Sequence, residues 1–232
     1  MRRTRKSTRV VLAVAVPVVL VALAQIVLPP LAARIARDRM KAYGDIRSVS
    51  VSAWPAVELL WGKADSATAL ASNLNLTTAQ MTKLAWEARG IHDLDLSVDT
   101  LDLKVPGVPN DVLLRNVRTQ KRGSSMQVSA TLTQSDLAAS VPSGFTVQPV
   151  ASGGGQVEVH ATGGLFGLQA SIDALVRPLD GRLIAEPHGL PLSGIATVTL
   201  FSDPHLKVEW VGLTVTRRQP LAYGLTLRAS LR

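Results

Sequence analysis

The chain has 232 residues, 47% of them apolar and only 4% aromatic, with a formal charge of +8 and no cysteine. The missing cysteine excludes disulfides, thiolate nucleophiles, a lipidated-cysteine anchor and Cys-type zinc sites, and it lets the chain enter an oxidising compartment without mispairing. The charge does not mark a nucleic-acid binder: Arg2, Arg3, Arg5, Lys6 and Arg9 precede an apolar segment, leaving 20 basic against 17 acidic residues, dispersed and not interleaved with aromatics.

From Val10 to Leu28 runs an apolar segment broken only by Pro17 and Gln25, just long enough to cross a hydrocarbon layer as a helix. By the positive-inside rule the five preceding charges stay cytoplasmic and the remainder is exported, although Arg34, Arg37, Arg39 and Lys41 lie on the far flank. The segment reads as an uncleaved anchor; Ala22-Leu23-Ala24 offers the competing signal-peptide cleavage site. Pro29-Pro30 is expected to end the span, dividing the chain into an anchor over 1–30 and one β-rich domain over 31–232. Leu31 to Tyr43 then reads as a short amphipathic helix, a solvated linker or a surface for anionic head groups.

Trp54 to Gly62 (WPAVELLWG) is an apolar stretch with two tryptophans. It fits either a helical turn packed on a sheet or a membrane-touching edge, since an indole pairs an apolar ring with an N–H that needs a polar partner. Thr77 to Arg89 has Met81, Leu84, Ala85 and Ala88 on one face and Gly90 as its stop, the pattern of a helix.

Beyond it apolar residues recur with a period of two, the mark of half-buried strands. The runs are Leu94-Leu96-Val98, Met126-Val128-Ala130-Leu132, Val157-Val159-Ala161, Leu168 to Val176, and Leu221 to Leu231. So many one-faced strands predict an antiparallel sheet in an α+β fold. Turns are expected at Lys121-Arg122-Gly123-Ser124, Ser152 to Gly155, Gly163-Gly164 and Asp180-Gly181. Thr133 followed by Asp136 predicts a short helix over Gln134 to Val141, closed by Pro142. A phase shift from Leu206, Val208 and Trp210 to Val211, Leu213 and Val215 predicts a β-bulge.

No arrangement of residues points to catalysis. His92, His160, His188 and His205 are scattered without the i+2 or i+4 partners zinc sites use. Asp93, Asp95 and Asp99 share a strand face, but a strand separates alternate residues by about 7 Å, so they read as a solvated face and not a calcium site. Glu158 and His160 share a face with no nucleophile or metal ligand nearby. G-x-S-x-G, H-E-x-x-H, S-x-x-K and the phosphate-binding G-x-x-x-x-G-K are all absent, so no catalytic residue, metal or cofactor is assigned.

The order of an N-terminal span, A-x-R-I-A over Ala33 to Ala36, V-S-V-S-A-W-P-A-V-E-L-L-W-G over Val49 to Gly62, hairpins, and a T-x-x-D-L segment at Thr133, Asp136 and Leu137 resembles the LmeA-like phospholipid-binding family of the actinobacterial cell envelope. The resemblance covers most of the chain from Ala33 onward. It implies a fold of the tubular lipid-binding type, a curled antiparallel sheet wrapped around a long helix with an apolar groove for acyl chains. It also implies a partner, phospholipid or lipid-linked glycan, and work on the outer side of the cytoplasmic membrane. The helix at Thr77 to Arg89 is a departure from the strand or loop expected there. On this reading acyl chains lie against Leu96, Val98, Val128, Leu132, Val159 and Ile172, with Trp54, Leu59, Leu60 and Trp61 at the entry. The rival reading is a non-enzymatic interaction module of the envelope with a closed core. Period-two alternation builds a dry core and a lipid groove equally well.

Overall fold

A computed structural model describes residues 24–105, 108, 110–141, 143–165, 168–188, 197–218 and 220–231. Most of the expected span, residues 10–23, lies outside these, as do Ala22 and Leu23 of the cleavage site. Among the described residues no helix is long and apolar enough to cross a membrane.

Helix α1 covers 24–40 and passes through Pro29-Pro30, which were expected to end the span. The two prolines remove only the bonds to the carbonyls of residues 25 and 26. The Gln25 side chain holds this turn from outside, donating to the Ala53 carbonyl at 2.9 Å and accepting from the Ala56 N–H at 2.7 Å. Lys41–Tyr43 follows as a single 3-10 turn.

Twelve strands are described: β1 (Gly44–Ser52), β2 (Ala64–Thr77), β3 (Ile91–Lys104), β4 (Val112–Arg122), β5 (Ser125–Thr133), β6 (Phe145–Gly153), β7 (Gln156–Leu165), β8 (Leu168–Leu179), β9 (Arg182–His188), β10 (Val198–Phe201), β11 (Leu206–Arg218) and β12 (Leu221–Leu231). Helix α2 (Thr78–Glu87) lies between β2 and β3, and α3 (Gln134–Ser140) between β5 and β6. The expected single curled sheet is instead two open sheets, ordered β1-β2-β3-β4-β5-β12-β11 and β10-β9-β8-β7-β6. Pairing is antiparallel except between β2 and β3, which run parallel. The helix expected at Thr77 to Arg89 is the cause: it carries the chain back over the sheet, as only a crossover can do for parallel neighbours.

The alternating runs are strands as expected, and the phase shift is a bulge between Val208 and Trp210. Trp210, however, falls out of the apolar set. It pairs with Arg228, whose guanidinium lies 5.1 Å over its ring. Gly163-Gly164 is not a turn but part of β7, paired with Phe145, Ala170 and Gln169. A side chain at Gly163 would run into the Phe145 ring, so glycine serves close approach of an aromatic there. Asp180-Gly181 is a hairpin turn with both residues at positive φ, as the Asp-Gly pair favours.

The two sheets meet at β11. Its outer edge receives the two hairpin tips of the five-stranded sheet: Val208 N–H donates to the Gly181 carbonyl at 2.9 Å, Val211 N–H to Gly155 at 3.3 Å, and Leu213 N–H to Ser152 Oγ at 2.8 Å. An edge strand that would otherwise offer unpaired amides is thereby covered. Gln134 of α3 adds a second tie, accepting from Tyr223 Oη at 2.8 Å and donating to the Val147 carbonyl at 3.1 Å. Burial raises the Tyr223 phenol pKa above its ordinary value.

Candidate lipid-binding surface

Register assigns each sheet an apolar and a polar face. In the seven-stranded sheet the pairs Ala71↔Val98, Val98↔Val117, Val128↔Leu227 and Leu227↔Val211 bring the apolar positions of neighbouring strands onto one side. One buried cluster there holds Ile46, Ala71, Leu74, Leu76, Val98, Leu101, Val117 and Ala130. A second holds Met126, Leu206, Val208 and Ala229, and it is joined by Leu183 and Phe201 of the five-stranded sheet. Val128 touches both clusters. The apolar surface therefore runs unbroken from β1 across to the second sheet, where Val157, Val159 and Ala161 pair with Val176, Ala174 and Ile172.

Helix α2 lies over this surface. Its start is a complete capping box, the Thr77 side chain accepting from Gln80 N–H at 3.1 Å while the Gln80 side chain accepts from Thr77 N–H at 2.8 Å. Met81 and Leu84 pack on the first cluster and Ala85 on the second. Its far end is held by Trp86, which stacks with His205 at 4.2 Å and has the Arg89 guanidinium 4.0 Å over its ring. Yet no residue of α2 is fully buried, and Leu96, Leu103, Leu114, Val128 and Leu227, packed against the same clusters, are only half-buried. A helix that sealed the core would enclose its own apolar stripe. Here apolar side chains of α2 and of the sheet remain partly exposed, with Met40 of α1 and Tyr43 also packed on the first cluster.

The ten residues singled out from sequence fall in three places. Leu96 and Val128 are half-buried on the apolar face under α2, while Val98 and Leu132 on the same face are enclosed by protein. Val159 and Ile172 lie on the apolar face of the second sheet, Val159 half-buried and Ile172 exposed. Trp54, Leu59, Leu60 and Trp61 form a separate group at one end of the molecule, in and before the 3-10 turn Ala56–Trp61. That turn has the helical form expected, but Trp54, Leu60 and Trp61 point to solvent, Val57 and Leu59 are half-buried, and Ala53 and Ala56 are buried. Met81 and Leu84, whose shared helical face was legible in sequence, were not among the ten, although they pack on the first cluster.

Sequence reading also missed Lys121, which occupies a core position of β4 between Leu94 and Met126 and is 1% exposed. Its Nζ donates to the Ile91 carbonyl. Loss of hydration lowers its pKa, against an opposing pull from Asp93. The phase of Val117, Thr119 and Lys121 along β4 was the available signal.

The polar faces are matched in charge. Asp93 and Asp95 lie at 3.8 and 3.0 Å from the Arg122 guanidinium, and Asp99 at 2.6 Å from that of Arg47. His160 meets Asp173 at 2.5 Å across β7 and β8, and Arg177 meets Glu186 at 2.9 Å. Among the described residues no three His, Asp or Glu side chains are grouped to hold a metal. Two shallow depressions, of about 390 and 600 Å³, open on these faces and are lined largely by Ser, Thr and charged side chains. Neither lies beside Trp54 and Trp61, where an entry to an apolar cavity was expected.

The T-x-x-D-L segment is a structural joint. Thr133 caps α3 by accepting from Asp136 N–H at 3.1 Å, and its hydroxyl donates to the Asp136 carboxylate at 2.7 Å. Arg115 donates to both oxygens of that carboxylate, at 3.1 and 3.3 Å. Burial pushes the Asp136 pKa up, but Arg115 and Thr133 together outweigh it and hold the group below its ordinary value.

The protein is a mostly antiparallel α+β fold of two open sheets whose apolar faces carry the packing side chains of α1 and α2. Over residues 19–230 the chain matches the model of the LmeA-like phospholipid-binding family, and it belongs to that family. The match spans the segment that forms α2. No curated protein and no solved structure matches the chain.

Proposed function

We propose that the protein holds acyl chains of a phospholipid or a lipid-linked glycan in the cleft between α2 and the apolar faces of the two sheets. It does so on the outer side of the cytoplasmic membrane, in support of envelope assembly. The observation that carries this reading is the incomplete closure of α2 over the sheet, half-buried on both sides of one interface. Covering such surface with methylenes is worth about 0.8 kcal/mol per group and needs no directional chemistry. Membership of a phospholipid-binding family supports the ligand class. The half-buried Leu96, Val128 and Val159 and the exposed Ile172 are the contacts; the enclosed Val98 and Leu132 shape the floor.

The enclosure of Val98 and Leu132 favours the rival, a closed-core interaction module. Native mass spectrometry of the full chain, released from mild detergent and followed by lipid extraction, decides between them. Phospholipid retained at fixed stoichiometry is the expected result. A chain that remains apo after incubation with phospholipid vesicles overturns the proposal.

A further inference from the structure

We propose that the end of the molecule carrying Trp54, Leu60 and Trp61 is a docking tip that inserts into the head-group layer of a phospholipid bilayer. This goes beyond lipid binding in the cleft and stands whether or not the cleft is filled.

Five large apolar side chains converge there with most of their surface in water: Ile26 and Trp54 are 72% exposed, Trp61 69%, Leu60 66% and Val27 55%. Scattered exposed hydrophobics are ordinary, but a contiguous group marks an interaction site. Contiguity follows from the Gln25 side chain, which grips the backbone at Ala53 and Ala56 on either side of Trp54 and so places Ile26 and Val27 beside the tryptophan turn. The turn is held in shape with its large residues outward. Trp54 N–H donates to Asp65 at 2.6 Å, Gly62 ends the turn at φ 69°, and the Gly62 carbonyl sits so close to Gly90 that no side chain fits at Gly90. Small Ala53 and Ala56 are its buried residues and Val57 and Leu59 are half-buried, while Trp54, Leu60 and Trp61 face water.

Two features identify a bilayer as the occupant. The patch is continuous in sequence with the apolar run Val10–Leu28, whose residues Ile26 and Val27 are part of it. Its two indoles supply the ring and N–H combination that favours the membrane–water interface. Charge contributes little, since exposed Lys63 and Arg89 stand against Glu58 and Asp65 nearby. Docking is therefore expected on zwitterionic as well as anionic lipid.

The test uses the full chain in phosphatidylcholine vesicles carrying lipid brominated near the head group, compared with its Trp54→Phe/Trp61→Phe variant. Two of the four tryptophans lie in the tip, so about half of the wild-type indole emission is expected to be quenched and blue-shifted, and this portion is absent from the variant. Quenching that persists in the variant reports Trp86 beside the cleft, so failure of the tip and failure of cleft binding are told apart. Emission that is unquenched in wild type, or quenched equally in the variant, overturns the proposal.

Discussion

Lys121 shows how one side chain can set a pH response for the whole fold. Buried on the apolar face of β4 with its Nζ on the Ile91 carbonyl, it has a pKa lowered by loss of hydration. In the unfolded chain the amine keeps its proton to about pH 10.4. Between the lowered folded value and that point the unfolded state binds more protons, so stability rises with pH across the window. The urea midpoint of the wild type is expected to climb there, and Lys121→Met to remove the climb; parallel profiles would show that the burial is not felt. Asp136 gives the same slope, stability rising with pH, in a lower window. Its carboxyl is held low by Arg115 and Thr133 against the effect of burial, so its contribution is present above the ordinary carboxylate range and is lost as pH falls through the folded value. Thr133→Ala removes the cap of α3 and is expected to cost about 1 kcal/mol in urea denaturation. That cap was legible in sequence because Thr and Asp three apart satisfy amides that every helix start leaves open. Lys121 was passed over because it read as part of the turn Lys121-Arg122-Gly123-Ser124, although the phase of Val117 and Thr119 points it inward.

Among the elements, α2 is where a dry core and a lipid cleft give different expectations. If Leu84 lines a cleft, Leu84→Ser costs only about 1 kcal/mol, because the side chain is already half in water, while the lipid-bound fraction in native mass spectra falls severalfold. If Leu84 is core, the same change costs roughly 2–5 kcal/mol and lipid occupancy does not respond. The helix was readable from its one-sided Met81, Leu84, Ala85 and Ala88, and five strands from period-two alternation. Strand β2 was missed because its inward positions Ala64, Ala67, Ala69 and Ala71 are small and carry little hydropathy contrast against Ser and Thr neighbours. Gly163-Gly164 looked like a turn because two glycines usually mark one; the Phe145 ring that requires Gly163 in a strand comes from another strand.

At the scale of the molecule, the union of two sheets rests on β11 and on the glycines that let hairpin tips reach it. Gly155 has φ 83° and a backbone carbonyl bonded to Val211, and a Cβ there would stand 2.8 Å from the Trp210 ring. Gly155→Val meets both obstacles and is expected to destabilise by roughly 2 kcal/mol or more. Amide hydrogen exchange would read the effect as faster exchange throughout β6 to β9 with β2 to β5 retained. Uniform acceleration in both sheets would mean that the tips do not hold them together. Trp210, placed by sequence in the apolar set, is instead the plug that fills the hollow over Gly155 and Gly212 on the polar face.

Local chemistry determined the strands, the two short helices, their caps and the bulge, because each depends on residues within a few positions of one another. Family membership was legible for a related reason, since short ordered motifs persist along the chain. The tertiary structure alone decided the division into two open sheets, the parallel pairing of β2 with β3, the passage of α1 through Pro29-Pro30, and which apolar side chains face protein and which face water. Alternation states that a side chain lies on the apolar side of a strand; only the element packed opposite determines whether that side is sealed.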